Sequence, residues 1–203
     1  SLESKEVLHV LPMQFKVDNQ AGIKEPIGMY GVRLEGDFHI ILADQGVCQN
    51  FIRCLQRVGL ALESFVFTPV GLAEVVLNED ERQQGVAIVD IGAGTTDCCV
   101  YVNGALAQSI SLPIGGDAIT RDIAHRMKID NQLAEQLKVF LCEKQQIDLD
   151  LQLQGGVSCG EVLDVIDARY AQIMKLIDRQ LIEHGLKNKI GRGYVLCGMA
   201  ARY

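Results

Sequence analysis

Positive charge is scarce in this chain. Its 19 Lys and Arg stand against 26 Asp and Glu, for a formal net charge of −7. Binding along a nucleic-acid backbone needs clustered Lys and Arg, so nucleic acid is excluded as a partner. No apolar run reaches the roughly 20 residues of a membrane-spanning helix, and the first residues do not read as a secretory signal. Cys-x-x-Cys spacing is also missing. The seven cysteines, Cys48, Cys54, Cys98, Cys99, Cys142, Cys159 and Cys197, are scattered through mostly apolar surroundings. The adjacent Cys98 and Cys99 would point to opposite faces of a strand. Buried free thiols in a reducing cytoplasm are therefore expected, with no zinc site. The four histidines, His9, His39, His125 and His184, are equally dispersed and carry no assigned chemistry.

What is present is apolar residue. Hydrophobic types make up 48% of 203 residues, enough for one or two compact units. Val7 to Val17 and Val32 to Leu42 read as extended segments around a turn-rich stretch. A helix is expected over Val47 to Val58, with Phe51, Cys54, Leu55 and Val58 on its apolar face and Gly59 closing it. Leu62 to Phe67 reads as a short strand. Thr68 reads as the N-cap of a helix running from Pro69 to about Leu77, and Asn78 to Gln84 as a charged surface connection. Gly115-Gly116-Asp117 precedes a helix expected to run to about Met127, and further helices are expected from about Asn131 to Cys142 and from about Gly160 to His184. Ile147 to Leu153 alternates like a short strand. Tyr194 to Cys197 is a strand that turns at Gly198.

The decisive segment is Val86-Ala87-Ile88-Val89-Asp90-Ile91-Gly92-Ala93-Gly94-Thr95-Thr96-Asp97, followed by Cys98 to Val102 and the turn Asn103-Gly104. An apolar strand delivers an aspartate into a small turn with two threonines, and a second strand leads away. Such a turn offers backbone N–H groups to phosphate oxygens. Asp90 stands where it could hold a hydrated magnesium ion. A Rossmann or Walker loop would lead into a helix instead. A purely structural hairpin would not require the aspartate or the threonine pair.

The Asp-x-Gly-x-Gly-Thr-x-Asp hairpin resembles the second phosphate loop of the actin, Hsp70 and sugar-kinase superfold. Leu8-His9-Val10-Leu11-Pro12, the stretch from Gly22 to Glu35, and Glu79-Asp80-Glu81-Arg82 resemble more narrowly the FtsA family of bacterial cell-division proteins. The likeness covers nearly the whole chain and weakens between about Cys142 and Glu161. It implies an α/β chain of actin-like (ribonuclease-H-like) ATP-binding fold, with mixed sheets and flanking helices. Residues 1–45 would close an accessory subdomain, residues 46–84 would belong to the first actin-like subdomain, and residues 85–203 would form the second domain, with a small inserted subdomain at about 139–184.

The resemblance also implies site residues and ligands. ATP and Mg2+ are the expected cofactors. Asp90 would hold magnesium through water, and Gly92, Ala93, Gly94, Thr95 and Thr96 would surround the phosphates. Ala93 replaces a glycine usual in the family, at little cost if its φ is negative. Gly115, Gly116, Glu135, Lys138 and Gly198 would lie beside the adenosine. The bland reading of Glu135 and Lys138, three residues apart, is an exposed ion pair. Asp117 reads equally as an N-cap.

For function, the resemblance implies an actin-like scaffold that self-assembles into filaments, binds the FtsZ C-terminal peptide and tethers FtsZ filaments at the inner membrane face of the division site. Arg169 and Tyr170 are the candidate peptide contacts. Membrane contact would come only through a helix not found in this chain, and the first phosphate loop is likewise not recognised, so the chain reads as a fragment. ATPase relatives place a glutamate before the proline that opens the connecting helix. Thr68 stands there instead, and slow or negligible hydrolysis is expected. A phosphotransferase of the same superfold and a pilus-assembly ATP-binding module are the alternative readings.

Overall fold

The computed structural model describes residues 4–143, 148–149, 151–153 and 156–201. The chain divides into two compact units, Ser1–Val86 with Cys99–Ser109, and Ala87–Cys98 with Ile110–Tyr203.

In the first unit, β1 (Lys5–Val17) pairs antiparallel with both β2 (Gln20–Ile23) and β3 (Leu34–Asp44). The β1–β3 register runs from Lys5 opposite Asp44 to Val17 opposite Leu34, with irregularities after Val7 and after Pro12. Pro12 is tolerated in the middle strand because β2 reaches only the Phe15–Val17 end, which leaves Pro12 at an effective edge beside a bulge. The Asp18 carboxylate accepts hydrogen bonds from the backbone of Val32 at 3.0 Å and Arg33 at 2.8 Å, and so pins the turn-rich stretch.

Helix α1 (Gln45–Arg57) starts at Asp44, whose carboxylate caps the N–H groups of Gly46 and Val47. It ends in a Schellman closure: Gly59 (φ +77) donates to Gln56, and Leu60 donates to Leu55. The sequence expectation for its apolar face is corrected, since only Cys48 is buried while Phe51, Cys54 and Val58 are exposed.

Three further expectations are overturned in this unit. Leu62–Phe67 is not a strand; the described backbone there is irregular, held in part by Phe67 N–H donating to the His9 imidazole at 2.9 Å. Thr68 is not the N-cap. It is the first residue of α2 (Thr68–Val76), Phe67 holds the cap position, and no side chain caps the helix. Asn78–Gln84 is not a plain connection, because Glu79–Gln84 forms α3. Asn78 and Glu81 close a reciprocal capping box, which offsets poor apolar patterning. Arg82 ties α3 down by donating to the Ala73 carbonyl at 2.6 Å and to Glu74 at 2.9 Å, with its guanidinium 5.3 Å from the Tyr101 ring centroid.

The second sheet has strand order β6-β5-β4-β9, from β4 (Val86–Ile91), β5 (Thr96–Val102), β6 (Ala105–Leu112) and β9 (Tyr194–Cys197). β4 lies between two neighbours and is buried at every position except Asp90, as its unbroken apolar run requires. The β5–β6 turn is Asn103-Gly104, both with positive φ, as the sequence indicates.

The second unit contains α4 (Gly116–Met127), α5 (Asn131–Cys142) and α6 (Cys159–Glu183), with a short hairpin of β7 (Gln152–Leu153) and β8 (Val157–Ser158). Of the expected Ile147–Leu153 strand only the last two residues are strand, and Ile147 and Asp150 lie outside the described residues. Ile119 and Ile123 of α4, Ala134 and Leu141 of α5, and Val162 and Ile166 of α6 share one core. Beyond α6, the Lys187 ammonium donates to Asp178 at 2.6 Å and to the Tyr194 hydroxyl at 2.8 Å, and that hydroxyl donates to Asp178. Burial alone would raise the Asp178 carboxyl, but the bonds from Lys187 and Tyr194 outweigh it and hold the group below its ordinary value. This triad fixes the entry of β9, and therefore the position of Gly198.

All seven cysteines are free, four of them buried, while Cys54 is exposed against expectation. Among the described residues no cluster of metal-ligating side chains forms.

Candidate functional site

β4 ends at Ile91 and β5 begins at Thr96, so the glycine-rich turn lies at the exit of the most buried strand. Gly92 N–H donates to the Thr95 carbonyl at 2.9 Å and closes the turn. Its outward carbonyls are then taken by the start of α4. Gly116 N–H donates to Gly92 at 2.9 Å, and Asp117 N–H donates to Ala93 at 2.8 Å. The N–H groups of Ala93, Gly94 and Thr95 donate to no backbone carbonyl among the described residues, and all three residues are exposed. With the Gly92, Ala93 and Thr95 carbonyls engaged and the N–H groups of Ala93, Gly94 and Thr95 exposed and unused by backbone, the turn presents a surface suited to an anion.

The glycines divide into two kinds. Gly94 has no positive φ, and a methyl group there would meet nothing within 4 Å. The fold itself does not demand glycine at this position, whereas close approach by a ligand would. Gly115 and Gly198 are demanded by packing. A Cβ on Gly115 would lie 2.5 Å from the Gly92 carbonyl oxygen and 2.6 Å from that of Ala93. Gly198, at φ +94, would place a Cβ 2.4 Å from the Ile91 carbonyl oxygen and 2.5 Å from Asp90 Oδ1. Two backbone segments thus press on the hairpin from outside. Ala93 does not have a positive φ, so its methyl group is tolerated.

The polar side chains follow different rules. Asp90 is half-buried and its carboxyl is raised above the ordinary value, first by burial and then by the charge of Asp97. A carboxylate whose ionisation is disfavoured by burial and a neighbouring charge is relieved by a divalent cation, and a strand-end aspartate suits an ion that keeps most of its waters. The donor set therefore fits magnesium. Asp97, which the sequence reading passed over, accepts from Thr95 Oγ1 at 3.1 Å and from Ser111 Oγ at 2.5 Å. Its signal was available as the last residue of the motif. Thr96 requires a correction, because its side chain is fully buried and donates to the Ile114 carbonyl at 2.8 Å. Its hydroxyl supports the turn and does not face a ligand.

An apolar cavity of about 170 Å³ adjoins the hairpin. It is lined at one end by Ala93, Gly116 and Asp117, along its length by Glu135, Lys138, Val139 and Cys142, and elsewhere by Tyr170 and Met199. The Glu135–Lys138 pair is only half the exposed ion pair that its spacing suggests, because Glu135 is exposed and Lys138 is buried. Lys138 is 9% exposed and its ammonium is 2.7 Å from Glu135. Burial would raise the Glu135 carboxyl, but hydrogen bonds from Lys138 and Thr120 hold it below its ordinary value.

Arg169 and Tyr170 are not brought together. Arg169 pairs with Asp122 and donates to Gln172 at 2.6 Å, lining a separate polar cleft with His125 and Arg126. Tyr170 faces the hairpin cavity.

A buried strand feeding a glycine hairpin, a crossing helix and a final strand that returns beside it define the actin-like fold. Among the solved structures that share it are the PilM–PilN type IV pilus biogenesis complex, with TM-score 0.68 and 16% identity over 98% of this chain and 51% of that one, and MreB 5 of Spiroplasma citri bound to AMPPNP, with TM-score 0.61 and 24% identity over 78% of this chain and 54% of that one. Family models agree more narrowly. The SHS2 domain inserted in FtsA matches residues 2–42, and the model for cell division protein FtsA matches residues 87–158. The FtsA proteins of Pseudomonas aeruginosa and Borreliella burgdorferi are each 33% identical, over 96% and 98% of this chain. The chain belongs to the FtsA family. It spans about half the length of the curated relatives it matches, 49% and 51% for these two.

Proposed function

We propose that this chain carries the phosphate hairpin and base pocket of an ATP-binding, actin-like cell-division protein. The observation that supports this most directly is the exposed Ala93–Thr95 turn, with the Ala93 and Thr95 carbonyls occupied and its N–H groups unused by backbone among the described residues, beside an apolar cavity. The triphosphate would lie against Ala93, Gly94 and Thr95 below the start of α4, at Gly115 and Gly116. Asp90 would hold Mg2+ through water, where the ion would neutralise phosphate charge. The cavity lined by Glu135, Lys138 and Met199, the residue after Gly198, would take the adenosine. Thr68 supplies no carboxylate base, so the nucleotide acts as an assembly switch with little turnover.

Within the cell, the proposed role is self-assembly into actin-like filaments at the division site and capture of the FtsZ C-terminal peptide, at the inner face of the membrane. Arg169, beside His125 and Arg126 in its own cleft, is the candidate contact for an acidic peptide; Tyr170 belongs with the nucleotide cavity. No described helix is long and apolar enough to cross a membrane, and attachment would be peripheral. The pilus-assembly alternative has only a structural neighbour 16% identical in its favour, which speaks to the fold alone. The phosphotransferase alternative has no observation of its own.

Titration calorimetry of Mg-ATP into the full-length protein tests the reading. Saturable binding is expected, weakened about 10- to 100-fold in Asp90→Asn, the usual cost of losing an outer-shell metal partner. Equal affinity in both proteins would remove the metal role. The same variant has a pH signature. Because the folded Asp90 carboxyl is raised, its stability contribution is full below the ordinary carboxylate value and is lost as pH rises through the raised one. Unliganded Asp90→Asn should therefore keep stability that the wild type loses toward neutral pH, in melting curves recorded across that range.

A further inference from the structure

We infer that Asp122 is an internal competitor in the Arg169 cleft: its carboxylate occupies Arg169 in the free protein, and a carboxylate of an acidic peptide takes its place on binding. The inference rests on the reading of Arg169 as a peptide contact and adds the regulation of that contact.

The cleft, of about 300 Å³, is lined from α4 by Asp122, His125 and Arg126 and from α6 by Arg169 and Gln172. Spacings of three and four residues put each set on one helix face. In a chain of net charge −7, this groove gathers two arginines and a histidine. Asp122 is the one acidic side chain that lines it, and it lies against Arg169.

The guanidinium is fully engaged within the chain. Arg169 Nε donates to Asp122 Oδ2 at 2.7 Å, Nη2 donates to the same oxygen, and Nη1 donates to Gln172 at 2.6 Å. Each of its three nitrogens thus serves an internal acceptor. An outside carboxylate is held best by two parallel N–H groups of the planar fork. The Nε–Nη2 edge offers such a pair, and Asp122 holds it.

Holding α4 to α6 does not require this ion pair. Ile119 and Ile123 of α4 and Val162 and Ile166 of α6 are fully buried in one shared core. The Arg169 and Asp122 side chains are 23% and 37% exposed, so water screens their attraction and its net contribution to folding is small. Its larger consequence is for binding, because it blocks the best-placed donors in the groove. Exchange replaces one carboxylate by another. Asp122 is released to water on its open side, Arg169 keeps its charge-assisted bonds, and the exposed His125 and Arg126 meet further acidic groups of the peptide.

Fluorescence titration of the FtsZ C-terminal peptide with the full-length protein, and with its Asp122→Asn and Arg169→Ala variants, tests the inference. Asparagine keeps the shape and removes the competing charge. Its variant should bind about tenfold more tightly, the gain expected when the open cleft rises from about a tenth of the population to most of it. Unchanged affinity would overturn the competitor role. Weaker binding would also overturn it, since Asp122 would then orient Arg169 for the peptide. Arg169→Ala separates the two failures. If it abolishes binding while Asp122→Asn fails to tighten it, the peptide contact stands and only the competitor is lost. If it binds as the wild type does, or if neither the wild type nor Asp122→Asn binds, the peptide reading falls and the inference with it. Asp122→Ser, which also removes the charge, carries the same expectation should the asparagine variant not fold.

Discussion

The Gly198→Ala variant is expected to lose about 2–4 kcal/mol of stability, combining a left-handed backbone that disfavours a side chain with overpacking of a filled space. The clash that cannot be relieved by a side-chain rotation is with backbone, since the Ile91 carbonyl oxygen lies 2.4 Å from the added Cβ and its carbon 2.8 Å away. Ile91 is fully buried at the end of β4, whose parallel pairing with β9 runs from Ala87 opposite Tyr194 to Asp90 opposite Cys197. Relief therefore requires the β9 end to lift off the strand that carries Asp90. Chemical denaturation of the full-length protein measures the loss. A variant as stable as wild type would mean that Gly198 does not pack as described.

Gly94→Val should behave in the opposite way. Its position is exposed, lacks a positive φ and has no atom within 4 Å of the added Cβ. Stability should change by less than about 0.5 kcal/mol, as at other unencumbered surface sites. ATP affinity should fall about 100-fold, because roughly 3 kcal/mol is lost when a side chain displaces a charged group from its donors. Paired melting and titration experiments read the two quantities separately. The outcome that would count against a phosphate site is unchanged affinity with unchanged stability.

Contrasting these glycines shows what the sequence made legible. The hairpin was readable because a continuous apolar run, an aspartate and a glycine-threonine turn leave few alternative conformations. Asn103-Gly104 fixed the next turn for a similarly local reason. Failures came where local signals compete. Glu79–Gln84 looked like a connection because it has almost no apolar periodicity, yet the Asn78–Glu81 capping box and Arg82 hold it helical. The stretch Leu62–Phe67 has strand-forming residues but no pairing partner among the described residues, and remains irregular. In the site, residue type marked Thr96 and Lys138 as candidates without revealing direction. Thr96 points inward to Ile114, and Lys138 spends its donors on α4 and Glu135. Side-chain direction depends on contacts between elements distant in sequence, which a pattern of residues along one segment does not carry. The pairing of Arg169 with Asp122, 47 positions earlier, was hidden for the same reason.

A crystal structure of the full-length protein with Mg2+ and a non-hydrolysable ATP analogue tests the central claim most directly. The terminal phosphates should accept hydrogen bonds from the backbone N–H groups of Ala93, Gly94 and Thr95, with the ion's water shell reaching Asp90. Phosphates bound elsewhere, with that turn open to solvent, would contradict the account.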